Sequence, residues 1–168
     1  MSAISMYAAS VPVFIKNLKN LSAILDKAAA WAVTKKIDEK YLITARVAPD
    51  MLPFSKQIQI ATDGVKGCAA RLAGVEIPKY EDTEANLADL KARITKTIAF
   101  LETFKPEQIN GSEGKTIELK FGPSSFSFSG LDYLLTFVNP NMYFHLTTAY
   151  AILRHNGLEI GKKDFLGG

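Results

Sequence analysis

The side chains best suited to chemistry lie in residues 139–157, which contain both histidines of the chain, His145 and His155. Tyr150 and Arg154 belong to the same stretch. Because successive residues of an α-helix are about 100° apart, His145 falls on the apolar side of this stretch, while Tyr150 and Arg154 point to the far side. An imidazole can transfer protons near neutral pH or bind a metal. His145 is therefore the first candidate for a functional group.

A second set of polar positions recurs between residues 50 and 64. Asp50, Gln57 and Gly64 are seven residues apart, so they share one face if this region is helical. A carboxylate, an amide and the gap left by a glycine could then meet His145 across two packed helices. The candidate pocket that these regions predict consists of Asp50, Gln57, His145, Tyr150 and Arg154.

Each candidate also has a structural interpretation, and the sequence leaves both open. A lone histidine on an apolar helical face is more often a hydrogen-bonded core residue than a ligand. Asp50 precedes a predicted helix and could simply be its N-cap. Tyr150 and Arg154 are one helical turn apart and could form a packing or ion-pair face, including one toward a second subunit.

The familiar catalytic signatures are missing from the sequence. It has no glycine-rich phosphate loop, no His-Glu-x-x-His, no Cys-x-x-Cys and no Gly-x-Ser-x-Gly motif. Its single cysteine, Cys68, excludes an intrachain disulfide and suits a reducing compartment. We expect Cys68 to be a buried apolar side chain, because no basic residue stands immediately beside it to favour a thiolate.

The composition indicates one globular domain over residues 1–168. The chain is 48% hydrophobic and 22% charged, and this length can bury a sizeable core without disulfides. Its net charge of +3 is spread along the chain, so nucleic acid is not an expected partner. No apolar run approaches the roughly 20 residues that cross a bilayer, and no signal peptide is recognisable. We expect a cytoplasmic protein without membrane association.

Apolar residues at alternating spacings of three and four predict four principal helices. Their predicted ranges are 3–33, 51–73, 83–104 and 130–156. Residues 115–128 alternate polar and apolar side chains around Gly122-Pro123, which predicts a β-hairpin. The fold class that follows is all-α, a four-helix bundle with a small β-hairpin inserted before the last helix.

Several helix boundaries carry more specific predictions. Pro12 should either kink the first helix or mark its true start near Val11. Asp50 and Thr83 are the expected N-terminal caps of the second and third helices. Asn139-Pro140 should divide the last helical region. Its inward face is predicted to consist of Leu131, Leu135, Val138, Met142, His145, Ala149 and Ile152.

Three segments of the chain resemble a known family. They are Ala48–Phe54 together with Gln57, Arg71–Gly74, and Tyr143–Gly157, and the resemblance extends from Pro12–Phe14 to Gly161–Asp164. The chain resembles the domain-of-unknown-function family nineteen ninety-three, which is placed in the DinB-like superfamily of four-helix bundles. The resemblance implies a DinB-like helical core and a homodimer.

Metalloproteins of the DinB-like superfamily typically bind a divalent metal through three histidines. One comes from the second helix, and the other two are four residues apart on the last helix. His145 could match one of these ligands, but Ala149 stands four residues later and the second predicted helix has no histidine. We therefore expect no metal and no cofactor.

Three functions remain open at this point. The first choice is a small-molecule-binding bundle whose polar pocket lies between the second and fourth principal helices, around His145. One alternative is an enzyme with an oxygen-rich divalent-metal site that includes Asp50 or Gln57. The other is a dimeric interaction protein whose polar cluster is structural.

Overall fold

The computed structural model describes residues 4–168, apart from the side chain of Phe121. Its elements, in chain order, are α1 Val11–Lys35, α2 Glu39–Thr44, α3 Phe54–Ala73, α4 Leu87–Leu101, α5 Pro106–Ile109, β1 Thr116–Phe121, β2 Ser124–Ser129, α6 Gly130–Asp132, a π-helical segment Tyr133–Val138, α7 Asn139–His155 and α8 Lys162–Leu166.

The fold is mostly helical with one antiparallel hairpin, as the sequence predicted. The four long helices share one core, in which α3 packs against both α7 and α4, and α1 packs against α4. Phe14, Phe54, Ile58 and Leu90 are fully buried there. Burying a side chain of this size contributes about 1.5–3 kcal/mol relative to leaving it in water.

The first helix is shorter than predicted at its N-terminal end. It begins at Val11, with Pro12 in its first turn, where the missing N–H costs no hydrogen bond. Residues 6–9 form turns before it, and Ile4, expected in the apolar seam, is 84% exposed. The predicted start at residue 3 lies outside the described residues. The second of the two interpretations of Pro12 is therefore correct.

Both predicted helix caps are wrong. Pro53 occupies the N-cap position of α3, so Asp50 lies three residues too early to reach the free amides of the first turn. The amide of Phe54 instead donates to the Ala45 carbonyl oxygen at 2.9 Å. Likewise α4 begins at Leu87, and its cap is Asn86, whose Oδ1 accepts from the Asp89 amide at 2.8 Å. The predicted cap, Thr83, lies before this helix.

The hairpin and the close contact that follows it fix the entrance to the last helical region. Strands β1 and β2 pair from Thr116 opposite Ser129 to Phe121 opposite Ser124. Immediately after β2, a Cβ atom on Gly130 would lie only 1.9 Å from the Ser112 carbonyl oxygen. Glycine is therefore required where the chain passes the 110–115 turn.

The last helical region differs from the predicted regular helix. Tyr133–Val138 is π-helical, and a π-helical turn contains an extra residue, which shifts the inward face by about one residue. Leu131 and Leu135 are consequently exposed by 41% and 48%, whereas Tyr133 and Leu134 are buried. The predicted inward positions of Leu131 and Leu135 are wrong for this reason. The division expected at Asn139-Pro140 coincides with the start of α7.

Candidate functional site

The structure brings two of the predicted site residues together. His145 on α7 and Gln57 on α3 are both buried, and the Nδ1 atom of His145 lies 2.7 Å from the Oε1 atom of Gln57. The amide nitrogen of Gln57 donates to the Leu52 carbonyl oxygen at 2.8 Å. One glutamine side chain therefore connects α3 to α7 and to the loop that precedes α3.

These contacts define the protonation of His145. Because the Gln57 nitrogen donates to Leu52, the atom that faces the imidazole is the amide oxygen, which can only accept. The Nδ1 atom of His145 must therefore carry a proton. Burial lowers the pKa of His145 below its ordinary value of 6.5, since desolvation disfavours the charged form. His145 is thus held as a neutral imidazole at neutral pH.

The other three predicted site residues lie elsewhere. Asp50 is in the exposed turn before α3 and makes no side-chain hydrogen bond within residues 4–168. The Tyr150 hydroxyl donates to the Ile160 carbonyl oxygen at 3.3 Å, and Nη1 of Arg154 donates to the Leu158 carbonyl oxygen at 3.4 Å. Tyr150 and Arg154 therefore attach the chain after α7 to that helix instead of joining His145.

A cavity lies between α3 and the last helical region, but His145 does not line it. Its volume is about 300 Å³, at the small end of the range of ligand pockets. An added Cβ on Gly64 would lie 3.6 Å from the Asn141 side-chain nitrogen, so the gap left by this glycine faces Asn141. The cavity is lined by Ile60, Asp63, Gly64, Arg71, Leu119, Tyr133, Phe137, Val138 and Asn141.

Arg71 and Tyr133 form the polar centre of the cavity. Nη1 of Arg71 donates to the Tyr133 hydroxyl oxygen at 2.9 Å. The guanidinium folds back over Gly67, where a Cβ would lie 2.5 Å from Nη1. Burial raises the pKa of Tyr133 to about 12, so its hydroxyl keeps its proton at neutral pH. Arg71 has no carboxylate within 4 Å in the described part of the chain.

The acidic residue of the cavity is already neutralised. Asp63 accepts from Lys66 through Oδ1 at 2.7 Å and from Arg93 through Oδ2 at 2.8 Å. The Arg93 side chain is only 2% exposed, and its Nη1 also lies 2.8 Å from Glu84. Burial by itself raises the pKa of Glu84, but hydrogen bonds from Arg93 and Gln59 hold that pKa below its usual value. Asp63 therefore belongs to an ion-pair network behind the cavity.

The same network holds the long connection between α3 and α4. Lys66 Nζ lies 3.6 Å from the ring centroid of Tyr80, and Lys96 Nζ lies 4.2 Å from it. Nη1 of Arg93 donates to the Glu81 carbonyl oxygen at 3.1 Å. Tyr80 is thus held between cations, which attract the face of its ring, and the network has a structural role.

Sequence reasoning missed Arg71 and Tyr133 as cavity residues. Arg71 is seven residues after Gly64, so the same spacing that linked Asp50, Gln57 and Gly64 could have identified it. Tyr133 had no such signal, because in an uninterrupted α-helix its side chain would point away from α3.

Cys68 is buried as predicted, and burial raises the pKa of its thiol.

A three-histidine metal site does not fit this structure. The Gln57 oxygen accepts from His145, so these two side chains are partners of each other and do not converge on a common point. Asn141 and Ala149 stand four residues before and after His145. Residues 4–168 contain no group of three or more His, Cys, Asp or Glu side chains that could hold a metal ion.

An open apolar groove crosses the outer face of α7. Its volume is about 460 Å³, and it is lined by Val47, Met51, Pro140, Tyr143, Phe144, Thr147, Thr148 and Ala151. Phe144, one of these lining residues, is 55% exposed.

None of the helices in residues 4–168 has both the length and the apolar character that crossing a membrane requires.

The architecture is that of the DinB-like proteins. The crystal structure of a DinB family member protein from Shewanella denitrificans is similar over 96% of this chain and 92% of that chain, with a TM-score of 0.87 and 41% sequence identity. A family model described as domain of unknown function (DUF1993) matches residues 6–166. The chain belongs to this family, as the motif segments indicated. No curated protein matches the chain.

Proposed function

We propose that this protein binds a small organic molecule, without a metal, in the cavity between α3 and the last helical region. The observation that carries the proposal is the position of Arg71, a half-buried guanidinium that faces about 300 Å³ of space and has no carboxylate partner in residues 4–168. Ligand pockets commonly combine apolar walls with a few placed polar groups. The cavity lies between the two helices that the sequence singled out.

His145 has a supporting role in this proposal. Its neutral imidazole and Gln57 hold α7 against α3, and Gly64 and Asn141 of the cavity lie on the same two helices. The pair therefore sets the spacing of the helices that form two walls. His145 therefore positions the walls of the cavity and does not contact the ligand.

The test uses Gly64, whose missing side chain leaves part of the cavity open. A Gly64→Leu variant should fill this space, and Gly114→Leu is the matched control because nothing lies within 4 Å of a Cβ at Gly114. We would screen a fragment library of neutral and charged compounds by thermal shift. Fragments that stabilise the parent and the control but not Gly64→Leu support the proposal. A screen without any Gly64-dependent hit would refute it.

Association with a second copy of the chain is part of the same proposal. The apolar groove along α7 is lined in part by Phe144, whose side chain is 55% exposed, so one face offers both an exposed aromatic ring and a recess. A face of this kind can pair with itself around a two-fold axis. Exposed apolar patches on a protein surface commonly mark an interface.

A further inference from the structure

We infer that the ligand of the cavity is a small monocarboxylic acid with an apolar body, and that Arg71 binds its carboxylate. This inference rests on the proposed function, because it assigns a ligand class to the same cavity.

The first argument is the excess of hydrogen-bond donors. The Tyr133 oxygen accepts from Arg71, so the proton of this phenol makes no hydrogen bond within residues 4–168 and remains available to a ligand. The remaining N–H groups of Arg71 and the side-chain amide of Asn141 also make no hydrogen bonds in the described residues. A ligand that supplies acceptor oxygens satisfies all three groups, and a guanidinium matches the two oxygens of a carboxylate.

The second argument concerns charge. Both oxygens of Asp63 are engaged by Lys66 and Arg93, so this carboxylate does not compete for Arg71. Among the described residues that line the cavity, Arg71 is then the one cation without a carboxylate partner. A carboxylate brings a single negative charge, whereas a phosphate dianion would bring a second one, and no second unpaired cation lines the cavity within residues 4–168. The charge balance therefore favours a monocarboxylate.

The third argument concerns the rest of the cavity wall, which is apolar. Ile60, Leu119, Phe137 and Val138 line the space around the polar centre. A ligand whose apolar part packs against this wall gains about 25 cal/mol of binding free energy per Å² of apolar surface that it buries. A bare acetate would leave much of this space unfilled, so affinity should increase from acetate to butyrate and phenylacetate.

The experiment compares matched acids and amides by isothermal titration calorimetry at neutral pH. The probes are acetate, butyrate and phenylacetate, with butyramide and phenylacetamide as neutral analogues and phenyl phosphate as the dianion. Phenylacetate should bind at least about tenfold more tightly than phenylacetamide and than phenyl phosphate. Equal binding of the acid and the amide would overturn the inference while leaving the proposed function intact. Tighter binding of phenyl phosphate would assign the site to phosphates instead and also overturn it.

Two variants connect the preference to the assigned residues. Arg71→Gln should reduce phenylacetate affinity by about tenfold or more and leave phenylacetamide affinity unchanged. Tyr133→Phe keeps the ring in place and should weaken the acid by a smaller factor, so it serves if Arg71→Gln fails to fold. Retention of parent affinity for the acid in either folded variant would contradict the inference. Failure of every probe to bind the parent, at concentrations up to millimolar, would also overturn the inference, while the Gly64-dependent fragment screen decides the proposed function.

Discussion

The Nδ1 atom of His145 lies 2.7 Å from the Oε1 atom of Gln57, which makes a buried hydrogen bond between α7 and α3. The bond spans 88 positions of sequence, and Gln57 extends it to the Leu52 carbonyl oxygen. Because Gln57 is 1% exposed and His145 8% exposed, water cannot easily replace either partner. Loss of the imidazole should therefore leave a buried acceptor unsatisfied.

The first prediction concerns the effect of pH on stability. Burial lowers the pKa of His145 in the folded chain below 6.5, so the unfolded chain binds a proton first as the pH falls. The stabilising effect is complete above pH 6.5 and is lost progressively as the pH falls from there toward the lowered pKa. Urea unfolding of the parent should show this decrease, and the decrease should be smaller in His145→Gln.

The control for this experiment is His155→Gln, which changes the exposed histidine. It should keep the acid-dependent decrease of the parent. At neutral pH, His145→Ala should lower the free energy of unfolding by about 1–3 kcal/mol, the usual cost of an unpaired buried acceptor. The same acid profile in the parent and in His145→Gln would contradict the assignment.

The second prediction concerns Gly130. A methyl group there would meet the Ser112 carbonyl oxygen at 1.9 Å, and a backbone atom cannot move aside as a flexible side chain can. Gly130→Ala should lower the free energy of unfolding by at least about 2 kcal/mol. Gly114→Ala is the matched control, with an expected change within about 0.5 kcal/mol. Equal chemical denaturation midpoints for the two variants would show that the contact at Gly130 is not tight.

The helical core was predictable because apolar spacing is a local property of the chain. Phe54, Ile58 and Val65 recur at helical intervals, and all of them are buried in α3. The caps were less predictable. Asp50 is an acceptable N-cap residue, but α3 begins after Pro53, and Thr83 is as acceptable as Asn86, which is the observed cap of α4. Local sequence therefore defined the helices better than their ends.

The cavity was not predictable for a different reason. The contact between Arg71 and Tyr133 joins residues 62 positions apart, and it requires the phase shift introduced by the π-helical segment. With a regular helix, Leu135 would face inward in place of Tyr133. Spacing did predict that Gln57 and His145 would meet across the two helices, because both lie within regular α-helix. The predicted pocket and the observed cavity thus share two helices but have different linings.

The third prediction concerns Arg93, whose side chain contacts Asp63, Asp82 and Glu84. Arg93→Met removes the cation and leaves the largely buried Glu84 carboxylate with Gln59 but without its cationic partner, so the expected loss is about 3 kcal/mol of unfolding free energy. Amide hydrogen exchange in residues 75–86 should accelerate, since this connection loses its attachment to α4. Unchanged exchange there would contradict the structural role of the network.

The control for Arg93 is an exposed ion pair. Lys19 and Glu102 are 3.5 Å apart, with side chains 61% and 54% exposed. Surface pairs of this kind contribute about 0–1 kcal/mol. Lys19→Met should therefore leave both the free energy of unfolding and the exchange of residues 75–86 close to those of the parent.

The fourth prediction concerns association through the groove along α7. Sedimentation equilibrium at micromolar concentration should give twice the chain mass for the parent, and Phe144→Glu should shift it toward the monomer because the new charge would have to be buried. Val33→Glu is the control, since Val33 is an exposed apolar residue on α1, 77% exposed. A parent that sediments as a monomer across the concentration range would rule out the dimer.

The last prediction concerns metal content. The oxygen of Gln57 is engaged by His145, Asp50 lies in an exposed turn, and Ala149 replaces the second histidine that DinB-like metal sites place four residues later. Catalytic zinc usually takes three protein ligands rich in histidine or cysteine. Elemental analysis of protein purified without chelators or an affinity tag should therefore find no stoichiometric zinc, nickel or iron in the parent or in His145→Ala. About one metal ion per chain in the parent and none in the variant would instead establish a metal site at His145.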